Sequence, residues 1–144
     1  GILHRAFSLF IFNSKAELLL QQRAMHKYHS PGLWTNTCCS HQRAGETNKV
    51  AGKRRLSEEM GFSCELKEVF NFIYKASFDN GLTEHELDHV MVGQYEADPI
   101  INKEEVMGFK WITLSDLKQD MEKHPEKYTA WFKIILNEYM QRLV

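Results

Sequence analysis

Residues 6–12, Ala-Phe-Ser-Leu-Phe-Ile-Phe, are apolar on both alternating sets, as a strand covered on two faces would be. Asn13-Ser14-Lys15-Ala16 turns the chain, and Glu17 to Arg23 reads as the hairpin partner. Residues 24–32 lose periodicity and carry His26, Lys27, Tyr28 and His29 before Pro31-Gly32, so they form a polar loop. Thr47 or Asn48 caps a helix of about 13 residues that Gly61 stops. At the helical repeat, Val50, Leu56 and Met60 share its core arc, and Arg54, Arg55, Glu58 and Glu59 fill the opposite side. Phe70, Phe72 and Tyr74 then alternate as strand residues do, Asp79-Asn80-Gly81 marks a turn, and residues 87–95 form the returning strand. Residues 107–112 are a further strand, and a Thr113 or Ser115 cap opens a short helix over 114–123. After Pro125, Trp131, Phe132, Ile135, Leu136, Tyr139 and Leu143 recur at helical spacing and form a core stripe. These elements predict an α/β (α+β) architecture, a mixed sheet sandwiched between helices.

With 144 residues and 43% hydrophobic positions, residues 1–144 are expected to form a single domain around one sizeable core. Eighteen basic and nineteen acidic residues leave a formal charge of −1, so no basic surplus points to nucleic acid or an anionic membrane surface. The apolar runs, such as Leu18 to Leu20, are too short to span a bilayer, and Gly1 to Arg5 lacks the shape of a signal peptide. Three cysteines, two of them adjacent, make a poor disulfide framework and point to a reducing cytoplasm.

Candidate chemistry concentrates in two places. Cys39 stands two residues before His41, and Glu84, Glu86 and Asp88 share one side of an extended segment. Three crowded carboxylates are relieved by proton sharing, by a metal ion or by facing water. A His/Glu set suits Zn²⁺, Mn²⁺ or Mg²⁺, whereas an isolated cysteine is most often an inert buried thiol. On the helix, Arg54 to Glu58 and Arg55 to Glu59 are i,i+4 pairs, the arrangement of an ordinary solvated charged face. Arg23 and Lys27 read by spacing alone as surface cations.

Wider spacing adds a resemblance. Glu46, Arg54 and then Leu56-Ser57-Glu58-Glu59-Met60-Gly61-Phe62 resemble the Nudix box, a loop and helix that bind divalent metal and diphosphate. Ser40 replaces its first glycine, and Arg55 replaces the glutamate after its arginine. A guanidinium at Arg55 favours phosphate binding over a hydrolytic cluster of ions. Pro31-Gly32-Leu33-Trp34-Thr35-Asn36-Thr37-Cys38-Cys39-Ser40-His41 and Glu84-His85-Glu86-Leu87-Asp88 resemble the type 1 isopentenyl-diphosphate isomerases, which have the Nudix fold.

The resemblance implies that isopentenyl diphosphate is isomerised to dimethylallyl diphosphate by metal-assisted proton addition and removal. It places Cys39 and Glu86 on the catalytic positions, Arg23 and Lys27 on diphosphate-contacting positions, and His4, His41, Glu84 and Glu86 on the ligands of one tightly bound divalent ion, Mn²⁺, Zn²⁺ or Mg²⁺. Glu59 falls near the Mg²⁺ that accompanies the diphosphate, and Trp131 on an aromatic position that faces a cation. A metal-bound Glu86, with Tyr74 relaying or orienting the proton, suits the acid role, and a Cys39 thiolate the base. A small isoprenoid diphosphate is the expected partner molecule, with the chain a monomer or weak homodimer. In that family a segment before His4 adds another metal-ligating histidine and a lysine, so the tight metal site is expected to be incomplete or empty and residues 1–5 poorly anchored. Two alternatives stand beside this reading, a Nudix hydrolase of a nucleoside diphosphate derivative and a catalytically silent phosphate- or metal-binding domain.

Overall fold

The computed structural model describes residues 2–77 and 81–144. Among them, seven strands form one mixed sheet: β1 (His4–Phe12), β2 (Glu17–Arg23), β3 (Trp34–Thr35), β4 (Cys38–Ser40), β5 (Lys67–Ser77), β6 (Thr83–Gln94) and β7 (Val106–Thr113). Helix α1 (Asn48–Met60) covers one face, and α2 (Leu114–Lys123) and α3 (Ala130–Tyr139) cover the other. The two-sided apolar pattern of β1 has its reason here. Phe7, Leu9 and Ile11 pack with Leu56 and Met60 of α1, while Phe10 packs with Phe132, Ile135 and Leu136 of α3. The turn expected at Asp79-Asn80-Gly81 lies largely outside the described residues. Among those residues no helix is long and apolar enough to cross a membrane.

The expected β1–β2 hairpin holds only at its tip. β1 and β2 pair at Phe12 and Leu18 and then diverge, β1 running parallel to β6 and β2 antiparallel to β7. Thr37 fills the split. Its N–H donates to Leu9 O (3.1 Å), its hydroxyl donates to Leu19 O (2.6 Å) and accepts from Ile11 N (3.0 Å). Asn36 Nδ2 donates to Leu9 O as well (3.1 Å). Two separating strands leave buried backbone groups without ladder partners, and these buried polar side chains supply them. The Trp34–Ser40 stretch is therefore threaded into the sheet, where it places Cys38 and Cys39 on opposite faces.

Helix α1 has the predicted ends: the Thr47 side chain accepts from Val50 N, and Gly61 adopts the left-handed conformation at φ 74°. Its core face differs from the expected one. Val50 is exposed, whereas Ala51, Gly52, Leu56, Glu59 and Met60 are buried. Gly52 explains this rotation, because a Cβ there would stand 2.9 Å from Leu66 Cδ1 and 3.2 Å from Met91 Cε. The helix makes its closest approach at that glycine, and Glu59, seven residues later, is carried to the same side. Of the residues expected to be poorly anchored, His4 and Arg5 are held in the sheet, while Ile2 and Leu3 are exposed outside it. His4 and Arg5 pair with Glu86 and Leu87, and Arg5 donates to Glu46 O (3.2 Å) and Arg43 O (3.3 Å).

Candidate active site

A pocket of about 190 Å³ opens beside β1. Ala6 and Ser8 contribute from β1 itself, Cys39 and His41 from the β4 side, and Glu84, Glu86 and Asp88 from β6. The alternation of β6 puts Glu84, Glu86 and Asp88 on one face and turns His89 to the other, where its Nδ1 meets Glu68 (2.9 Å). Because β1 runs between β4 and β6, Cys39 and Glu86 enter the pocket from opposite sides of that strand. Trp131, from α3, is part of the wall. Its helix is held at the sheet by Thr129, whose N–H donates to Trp34 O (3.0 Å) and whose hydroxyl meets that of Thr35 (2.8 Å).

The remaining walls are cationic. Arg23 stands 5.3 Å from the centroid of the Trp131 ring and donates through Nε to His29 O (3.2 Å). Lys27 lines the pocket while ion-paired to Glu105. Arg55 lines it from α1, donating to Glu58 (2.8 Å) and Glu59 (2.5 Å). Glu59 in turn accepts from Gln21 Nε2 (3.0 Å) and has Cys38 Sγ at 3.6 Å. Cys38 thus belongs to the α1 core, and Cys39 to the pocket.

Burial and crowding shape the titration of these groups. Burial, reinforced by the charge of Glu86, pushes Glu84 up to about 7. Burial likewise pushes Asp88 up to about 7, although a hydrogen bond from Ser8 Oγ (2.8 Å) opposes it. Glu84 Oε1, Asp88 Oδ1 and the Tyr74 hydroxyl are all buried without a hydrogen-bond partner. Burial pushes the Cys39 thiol up to about 12, so the protonated thiol is the resting form and the expected thiolate base is not. His41 is raised by its hydrogen bond to Glu86, 2.7 Å between Nε2 and Oε1.

His41, Glu84 and Glu86 are brought together, but His4 is exposed, standing opposite Glu86 in the strand register without entering the wall. Glu59 arrives separately, from α1. Among the described residues no group of three or more His, Cys, Asp or Glu side chains is arranged to hold a metal ion. The donor chemistry nonetheless fits a divalent cation: an unpartnered Glu84 oxygen, two further crowded carboxylates and an imidazole all lie in one pocket. Tyr74 stands opposite Glu86 in the β5–β6 register and packs edge-on against Trp131, 6.3 Å between centroids.

The family model for the NUDIX domain matches residues 2–132. The chain is 52% identical to Isopentenyl-diphosphate Delta-isomerase 2 of Photorhabdus laumondii subsp. laumondii, a match covering 100% of this chain and 85% of that protein. It is 50% identical to Isopentenyl-diphosphate Delta-isomerase of Serratia proteamaculans, over 96% of this chain and 77% of that protein. The chain belongs to the isopentenyl-diphosphate Delta-isomerase group of the Nudix family. The fold agrees with this: the solved MutT protein from Methanosarcina mazei Go1 superposes with a TM-score of 0.79 at 18% identity, covering 96% of this chain and 94% of that one.

The Nudix-box positions are divided between two tasks. Glu46 and Arg54 are a latch: Arg54 donates twice to the Glu46 carboxylate (2.8 and 3.0 Å), and Glu46 accepts from Arg43 N (2.7 Å). Arg54 above all holds the Glu46 carboxyl down at about 2. Arg55 and Glu59 instead reach the pocket. Strand alternation groups Asp88 with Glu84 and Glu86, and although the resemblance assigns it no role, it lines the pocket with them. Gln21, Ser8 and Glu105 carried no comparable local signal, because their partners lie 38 to 80 residues away.

Proposed function

We propose that this chain is an enzyme that converts isopentenyl diphosphate to dimethylallyl diphosphate. One observation carries the reading: a thiol and a carboxylate cluster face a single pocket from the two sides of β1, and three cations share its wall. Moving the double bond requires a proton to be added at the terminal CH₂ and another removed from the CH₂ next to the diphosphate-bearing carbon, through a tertiary cation or something close to it. Cys39, resting as the thiol, gives the first proton. The carboxylate of Glu86 receives the second, and the buried Tyr74 hydroxyl orients that proton. In the reverse direction the roles exchange, and no atom is gained or lost overall. The Trp131 ring already accommodates the Arg23 guanidinium at 5.3 Å, and its π-face is suited to a carbocation in the same way. Arg23, Lys27 and Arg55 are the donors for the diphosphate oxygens.

Within this reading His41, Glu84 and Glu86 hold a divalent ion, with His4 as the further donor, and Glu59 serves the Mg²⁺ that travels with the diphosphate. When bound, the tight ion, Mn²⁺, Zn²⁺ or Mg²⁺, neutralises the crowded carboxylates and fixes Glu86 in place. The free thiols Cys38, Cys39 and Cys64 support a cytoplasmic setting. Incubation with isopentenyl diphosphate and Mg²⁺ tests the function. Formation of the dimethylallyl isomer is the expected result, release of phosphate indicates a hydrolase, and the absence of both products indicates a binding domain.

A further inference from the structure

The loop spanning residues 100–105 ties together the two walls that carry the pocket's cations. Ile100 N donates to Met60 O and Asn102 N to Glu59 O, both at 2.9 Å, which fastens the loop to the end of α1. Gly61 permits that docking, since a Cβ there would stand 2.4 Å from Ile100 O. At its other end the loop is fastened just beyond β2, where Ala24 N donates to Glu105 O (3.3 Å). The Glu105 side chain then spans the gap between the walls. It ion-pairs with Lys27 and lies 3.5 Å from Arg55 Nη2. Burial works against its ionisation, yet the hydrogen bond and charge of Lys27 hold its carboxyl below the usual range.

Lys27 and Arg55 differ in what else restrains them. Arg55 has Glu58 and Glu59, whereas Glu105 is the sole ion-pair partner recorded for Lys27 among the described residues. A lysine is a point charge on a flexible stem, so its location before an anion arrives depends on such a partner. We propose that Glu105 is a positioning residue for the diphosphate end of the pocket, holding Lys27 and Arg55 at a set separation so that the anion meets a preformed pair of donors. The proposal rests on reading that end of the pocket as the diphosphate site. Preorganised donors spare the ordering cost that flexible ones bring to binding.

The competing effect is that Glu105, an anion, repels the diphosphate and competes with it for both cations. The two effects predict opposite signs. Isothermal titration of the full chain with inorganic pyrophosphate and Mg²⁺ is the direct measurement, accompanied by steady-state kinetics with isopentenyl diphosphate. Glu105→Ala is expected to weaken pyrophosphate about tenfold and raise KM similarly, with kcat changed less than about twofold. Glu105→Gln, which keeps an acceptor for Lys27 and leaves the loop's backbone bonds in place, is expected to fall between wild type and Glu105→Ala, and it replaces Glu105→Ala should that variant not fold. Unchanged or tighter pyrophosphate binding in either variant overturns the proposal, as does a wild-type chain that fails to bind pyrophosphate. A wild-type chain that binds pyrophosphate but does not isomerise sinks the functional reading alone, and the binding comparison still decides the role of Glu105.

Discussion

Two acidic clusters in this molecule have similar composition and opposite character. On α1 and the loop before it, Glu46, Glu58 and Glu59 each have an arginine partner, and the Glu46 and Glu58 carboxyls sit below their ordinary values. On β6, Glu84 and Asp88 are raised to about 7 and each keeps a buried oxygen without a partner. Counting carboxylates does not separate the two. What separates them is burial together with the neighbour: guanidinium groups satisfy the first, whereas the second is buried in a pocket, crowded by its own charges, and left with capacity to bind a proton or a cation.

The sharpest break in that contrast comes from the groups that face the pocket. Cys39→Ala and Glu86→Gln are each expected to lower turnover by about 10³-fold or more while thermal melting shows an intact fold. Cys38→Ala, on the other face of β4, should leave turnover within about twofold and cost about 1 kcal/mol of stability for a lost buried sulfur. Near-normal turnover in Cys39→Ala defeats the assignment.

Trp131→Phe comes next, with turnover expected to fall about tenfold and melting to change little. The Trp131 indole N–H is buried facing the Cys39 side of the pocket, so a loss of rate that exceeds the loss of stability marks its role as functional. A loss of stability as large as the loss of rate shows a purely structural tryptophan.

The β6 cluster also has a pH signature. With Glu84 and Asp88 raised to about 7, the folded metal-free protein retains protons that the unfolded chain has already released above its ordinary carboxylate range. Stability should therefore fall as pH rises from about 4.5 to about 7, and His41, raised by Glu86 from its ordinary value of 6.5, extends the fall above that value. Melting temperatures across that range check the sign. Glu84→Gln should flatten the profile, and so should a saturating divalent cation; a profile that rises instead contradicts the raised carboxylates.

The smallest effect belongs to the α1 cluster. Glu46→Gln should lower the melting temperature slightly and leave turnover within about twofold, because Glu46 fastens a loop and does not line the pocket. A collapse of turnover in that variant makes the latch part of the chemistry and erases the distinction between the clusters.

Much of the fold and part of the site were legible along the chain. Thr47 and Gly61 around α1, Thr113 before α2 and the strand alternation of Glu84, Glu86 and Asp88 all follow from contacts within a few residues. Backbone hydrogen bonding at caps and the two-residue repeat of a strand are local, so the residues that set them are adjacent in the text of the sequence. The tertiary structure decided the rest. Thr37 splits β1 from β2 by bonding to Leu9, Ile11 and Leu19, and Gly52 turns Glu59 inward by letting α1 touch Leu66 and Met91. Cys39 rests as a thiol and Glu84 titrates near 7 because distant elements bury them. Packing brings together residues tens of positions apart, and burial and charge pairing, which set protonation, come into being only when that packing is complete.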